Sequence, residues 1–148
     1  MSTDRIERTT TIRAPISRVW AALVDSGAFG AWFGARLEGA FEPGTTVRGE
    51  ITTPGYEGLP MTLFVERVEP ESLLAFRWHP YDPAGSPAAS APTTLVELRV
   101  HDRGASTEVT VTESGFDALP PGRREQAYRS NEGGWEAQLR NIARHVGG

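Results

Sequence analysis

From residue 46 to residue 114 the chain alternates apolar and polar side chains in five separate stretches, and after them it changes period. The stretches are TVRGEIT (46–52), MTLFVERV (61–68), SLLAFRWH (72–79), TLVELRVH (94–101) and TEVTVTES (107–114). Alternation puts Val47, Gly49 and Ile51 on one face, then Met61, Leu63 and Val65, then Leu74, Phe76 and Trp78. It continues with Val96, Leu98 and Val100, and with Val109 and Val111, while Ala75, Arg77 and His79 fall opposite. Strands of this kind predict an antiparallel sheet with one apolar face, which has to be covered.

The cover has to come from REQAYRSNEGGWEAQLRNIARHV, residues 124–146, where the period becomes helical. At about 100° per residue one stripe holds Arg124, Tyr128, Asn131, Trp135, Leu139, Ile142 and Val146. Its second half is apolar, as a core-facing helix requires, and its first half is not. Gly133 and Gly134 interrupt it at about 1 kcal/mol each relative to Ala. Gly134 falls on the flank of the stripe, where a missing Cβ would let another element approach closely, and Gly133 points outward.

Ahead of these strands, RIERTTTIR (5–13) reads as a first strand and Pro15 as the first residue of a helix with Ile16, Val19, Trp20, Leu23 and Val24 on one face. Asp25 or Ser26 can cap a second short helix carrying Phe29, Trp32 and Phe33. Pro43-Gly44, Glu69-Pro70 and the DRGAS segment mark turns. Residues 80–92, PYDPAGSPAASAP, have no periodicity and are expected to form a loop, with a lid over a pocket opening as one reading and a tolerated insertion as the other. The expected architecture is α+β: a curved antiparallel sheet of about six or seven strands gripping one long terminal helix, with two short helices after the first strand, all in a single domain.

Continuing the last strand by two places puts Glu113 on the apolar face, unless the strand ends first. A buried carboxylate is costly unless paired or wet, so an inward Glu113 implies a partner such as Arg124, or water in a cavity. Other chemistry is sparse. His79 and His101 fall on outward strand faces and His145 near the helix end, none in metal-ligand spacing, so no metal site and no cofactor is expected. There is no cysteine, no GxSxG elbow and no phosphate-cradling glycine loop. The formal charge is −4, and all 15 basic residues are arginines, scattered among carboxylates, which argues against nucleic acid as a partner. The N-terminus lacks the apolar run of a signal peptide and nowhere do about 18 apolar residues run together, so membrane insertion is not expected and a cytoplasmic location is.

Four segments carry a more specific resemblance. APISRVWAALVDSGAFGAWF (14–33), VEPESLLAFRW (68–78), TEVTVTESGF (107–116) and GGWEAQLRNIARHV (133–146) resemble, in the same order, the START-like (SRPBCC) superfamily and within it the family named after the activator of the 90-kDa heat-shock-protein ATPase. The resemblance implies a helix-grip fold with a cavity between sheet and terminal helix, which in the superfamily receives lipids, polyketides or other hydrophobic molecules. Its wall would draw on Trp32, Phe33, Leu63, Phe76, Trp78, Leu98, Val111 and Trp135, large residues that are core residues first. Its polar end would be formed by Glu113, Arg124, Tyr128 and Asn131. Relatives often carry histidine at the position of Asn131.

Three functions follow as expectations. The leading one is binding of a small hydrophobic ligand. The second is a cyclase- or hydrolase-type enzyme with Glu113 as base beside Tyr128 and Arg124 as polarising donors. The third is a protein partner, with stimulation of a chaperone ATPase as the family name suggests. Members that act so carry an additional N-terminal domain for which this sequence has no room, so a chaperone is not the expected partner.

Overall fold

In a computed structural model, residues 5–79 and 92–147 are described, and the loop expected at 80–92 lies almost wholly outside them. Seven antiparallel strands form one sheet: β1 (Arg5–Ile12), β2 (Ala35–Glu38), β3 (Thr46–Ile51), β4 (Pro60–Glu69), β5 (Leu73–Trp78), β6 (Thr94–Asp102) and β7 (Thr107–Ser114). Their spatial order is β1-β7-β6-β5-β4-β3-β2, so the first strand pairs with the last. Two short helices, α1 (Ile16–Val24) and α2 (Ser26–Phe33), follow β1, and the 27-residue α3 (Pro121–Gly147) closes the chain after a single 3-10 turn at Phe116–Ala118. This is the helix-grip arrangement.

Local chemistry accounts for the joints. Asp25, not Ser26, caps α2, its Oδ2 accepting from Ala28 N at 2.8 Å, and Gly34 ends that helix at φ +95°. Pro43 and Gly44 make the expected turn, with Thr45 N donating to Glu42 O at 3.0 Å and Gly44 at φ +86°. Strand β2 was not legible as a separate strand, because ARLE is too short to display a period. It is held by close packing: a Cβ on Gly49 of β3 would lie 1.8 Å from Arg36 O, and one on Gly30 of α2 would lie 2.3 Å from Ala35 O.

The inner sheet face carries the core. Leu63, Leu74, Phe76, Val96, Leu98, Val109 and Val111 are buried there beneath Trp135, Leu139, Ile142 and Val146 of α3. Three outward residues depart from the alternation: Leu73 and Thr112 are buried, and so is Ala75. Its register neighbours are Arg67 on β4 and Glu97 on β6, whose long side chains flank it on the solvent face.

The polar half of α3 is anchored to backbone and to charges. Tyr128 packs edge-on against Phe116 and donates its hydroxyl to Arg5 O at 3.2 Å. Arg124 donates to the carbonyls of Asp117 (3.1 Å) and Leu119 (3.4 Å) in the turn before the helix. Arg8 of β1 reaches Glu132 at 2.9 Å and Glu136 at 3.3 Å. Desolvation pulls the Arg8 guanidinium down, but the bonds to these two carboxylates outweigh it and hold it above its ordinary value. Gly133 and Gly134 touch nothing: a Cβ on either meets no atom within 4 Å, so the close approach expected at Gly134 does not occur. Nothing in the structure explains either glycine.

Candidate functional site

Glu113 closes the inner face of β7 and is fully buried, as the continued alternation implied. Four side chains from three elements converge on its carboxylate. Trp78 at the end of β5 donates its indole N–H to Oε2 at 2.8 Å, and Trp135 of α3 donates its own to Oε1 at 2.8 Å. The Thr94 hydroxyl, at the start of β6, donates to Oε2 at 2.5 Å. The amide of Asn131, one helical turn before Trp135, donates to both oxygens at 3.0 and 3.1 Å.

Each part is placed by its element. Val96 of β6 stands opposite Glu113 in the ladder, and Thr94 stands opposite Trp78, so strand pairing sets three of the five residues side by side. Helical periodicity supplies the other two from above. The indole rings of Trp78 and Trp135 are stacked with centroids 5.6 Å apart and planes at 28°. Phe33, at the end of α2, meets both edge-on at 5.8 and 6.4 Å. Gln138 of α3 donates to Phe33 O at 2.8 Å and ties that helix end to the cluster.

The electrostatics are unusual in one respect. No arginine or histidine among the described residues pairs with Glu113, so a buried acidic group is satisfied by uncharged donors alone. Indole N–H and the amide NH2 of asparagine can only donate, so the arrangement suits a group that accepts on both oxygens. Charge-assisted hydrogen bonds are the stronger kind, and several together offset the loss of water.

The expected polar end is therefore rearranged. Glu113 and Asn131 come together with Trp78 and Trp135, but Arg124 and Tyr128 do not join them. Arg124 is not the partner of Glu113, because the turn preceding α3 captures its guanidinium, and Tyr128 is engaged by β1. Trp32 is buried between the short helices, donating to Ala22 O at 2.9 Å and lying 4.6 Å from Phe29. Leu63, Leu98 and Val111 are buried within the inner face, and Phe76 packs 5.5 Å from Trp78. Thr94 was missed, although the signal was there: carrying the β6 alternation back from Val96 by two places turns it inward. Among the described residues no three His, Asp or Glu side chains gather as a metal site, and no helix is long and apolar enough to cross a membrane.

A seven-stranded antiparallel sheet gripping a long terminal helix is the architecture of the START-like class of proteins. Residues 13–147 match the family model described as activator of Hsp90 ATPase homolog 1-like protein, and the chain belongs to that family. Solved structures agree on the fold. DynU16, a protein of the dynemicin biosynthetic locus, is 25% identical at a TM-score of 0.75 over 97% of this chain and 47% of its own, so this chain spans about half its length. A protein from Arthrobacter aurescens is 18% identical at a TM-score of 0.79, over 97% of this chain and 86% of that one. The Aha1 dimer from Colwellia psychrerythraea is 15% identical at 0.72, over 96% and 95%. No curated protein matches the chain in sequence.

Proposed function

We propose that this protein binds a small hydrophobic molecule, of the lipid, polyketide or aromatic-metabolite class, against the aromatic wall of Phe33, Trp78 and Trp135. The observation that carries the reading is the Glu113 cluster: a fully buried acidic side chain and an amide set among stacked indoles, with no cationic partner among the described residues. Such a site offers extended apolar area together with a few fixed polar groups, the composition of ligand pockets in general. The position of DynU16 in a biosynthetic locus supports a small-molecule role.

Catalysis by Glu113 finds less support. A general base needs a free lone pair directed at its substrate, whereas both oxygens of Glu113 already accept from two or more donors. The donors expected to polarise a substrate, Tyr128 and Arg124, are committed elsewhere.

Mass spectrometry of the freshly purified protein under native and denaturing conditions tests the proposal. A stoichiometric lipid or aromatic compound released on denaturation is the expected result, with uptake weakened in Trp78→Ala and in the milder Trp78→Phe. Uptake unchanged in both variants removes Trp78 from the site.

A further inference from the structure

A second place in the molecule gathers chemistry that the Glu113 cluster does not use. An open groove of about 450 Å3 runs between the end of β1 and the last two turns of α3. Arg13, Arg140 and Arg144 line it, together with Thr10, Thr11 and Gly147. Along the helix axis Asn131 and Arg144 are roughly 20 Å apart at 1.5 Å per residue, so the groove is separate from the aromatic site.

Most arginines elsewhere are matched to carboxylates among the described residues, Arg18 and Arg48 excepted: Arg5 to Glu7, Arg8 to Glu132 and Glu136, Arg77 to Glu66, Arg99 to Glu97 and Arg103 to Glu108. The three in the groove are not. Arg13 and Arg140 have no ion pair or side-chain hydrogen bond with any described residue, and Arg144 reaches only the amide oxygen of Asn141. The carboxylates nearest by position are already taken. Glu136, one turn before Arg140, is held by Arg8, and Glu108, opposite Thr11 in the ladder, is held by Arg103. In a chain of net charge −4, three guanidinium groups in one groove with no carboxylate partner among the described residues are not a consequence of bulk charge.

The backbone adds to this. β1 is an edge strand. Arg5 O and Glu7 O accept from the side chains of Tyr128 and Arg8, so the odd-numbered positions of β1 turn their backbone groups away from β7. Antiparallel alternation gives the Thr11 N–H the same outward direction, beside the groove. The carbonyls at the end of α3 would repel an anion, but Arg18 donates to Val146 O at 2.5 Å and offsets that end of the helix.

We propose that this groove binds a phosphate-bearing anion, held by the guanidinium groups of Arg13, Arg140 and Arg144. Planar guanidinium forks match phosphate oxygens in pairs, and three of them balance more negative charge than one carboxylate carries. The anion is either a free phosphorylated molecule or the headgroup of an acidic phospholipid.

Two probes separate those sources: inorganic pyrophosphate by calorimetric titration, and phosphatidylcholine vesicles with and without phosphatidic acid by co-sedimentation. The native chain is expected to bind pyrophosphate, with affinity about tenfold or more lower in an Arg13→Gln, Arg140→Gln double variant. Arg48→Gln, at an exposed arginine of β3 with no ion pair among the described residues, serves as the control and leaves binding unchanged. Binding confined to phosphatidic-acid vesicles, lost in the same double variant, also supports the site and assigns it to a headgroup. The proposal is overturned if the native chain binds neither probe, if the double variant retains full binding, or if Arg48→Gln weakens it equally. All these side chains are exposed, and thermal unfolding verifies that the variants are folded.

Discussion

Trp135 and Glu113 are joined across 22 residues by a 2.8 Å hydrogen bond from the indole N–H to Oε1, which fixes the middle of α3 to the end of β7. The same indole stacks on Trp78, whose own N–H meets the other oxygen, so two rings and one acidic side chain form a single clamp between helix and sheet.

If every neighbour of Glu113 donates to it, an amide in its place must turn an NH2 toward a donor. Glu113→Gln is therefore expected to destabilise the protein by about 1–3 kcal/mol, and Thr94→Val, which removes one of the bonds, by about 1 kcal/mol. Urea unfolding monitored by tryptophan fluorescence measures both. A Glu113→Gln protein as stable as the native one would contradict the all-donor arrangement.

The glycines divide into two groups that substitution by alanine should move in opposite directions. Gly133→Ala and Gly134→Ala add a Cβ to open space inside a helix and should each stabilise by about 0.5–1 kcal/mol. Gly49→Ala and Gly30→Ala drive a Cβ into a backbone carbonyl and should cost about 1–3 kcal/mol or prevent folding. Circular dichroism melts of the four variants suffice to decide.

Asp25→Ala removes the acceptor at the start of α2 and should lower stability by about 1 kcal/mol, whereas Ser26→Ala at the adjacent position should be nearly neutral. Equal losses in the two variants would reassign the cap.

Arg8 bridges β1 to two glutamates of α3, but its side chain is 32% exposed and theirs 40% and 54%, so solvent weakens the attraction. Arg8→Gln is expected to cost about 0.5–1 kcal/mol, and much of that difference should vanish at high salt. Because the guanidinium is held above its ordinary value, its charge is present below that value and lost only far above neutrality. The Arg8 charge itself therefore brings no change in stability across the neutral range.

The sheet and the terminal helix were legible because both repeat: Leu74, Phe76 and Trp78 announce a face by alternation, as Leu139, Ile142 and Val146 do at helical spacing. The inward turn of Glu113 followed from the same rule. What satisfies it did not, because a tryptophan at an inward position looks like any large core residue, and its single N–H leaves no mark in a hydropathy pattern. Arg124 was a reasonable partner on charge and stripe, but a guanidinium also satisfies carbonyls, and the turn at Asp117 and Leu119 lies closer along the chain. Strand β2 escaped for a different reason, since four residues held in place by Gly30 and Gly49 depend on contacts made by other segments.

The pairing of β1 with β7 has a consequence for how the molecule is made. Thr9 and Thr110, 101 residues apart, touch across that ladder through their hydroxyls. A chain emerging from the ribosome cannot complete this edge until β7 has been synthesised, and until then the apolar side chains of its first strand, Ile6 and Ile12, have no partner strand to pack beside. Long-range closure of this kind is slow compared with helix formation, so the ladder of β1 and β7 is completed after the local turns and helices have formed.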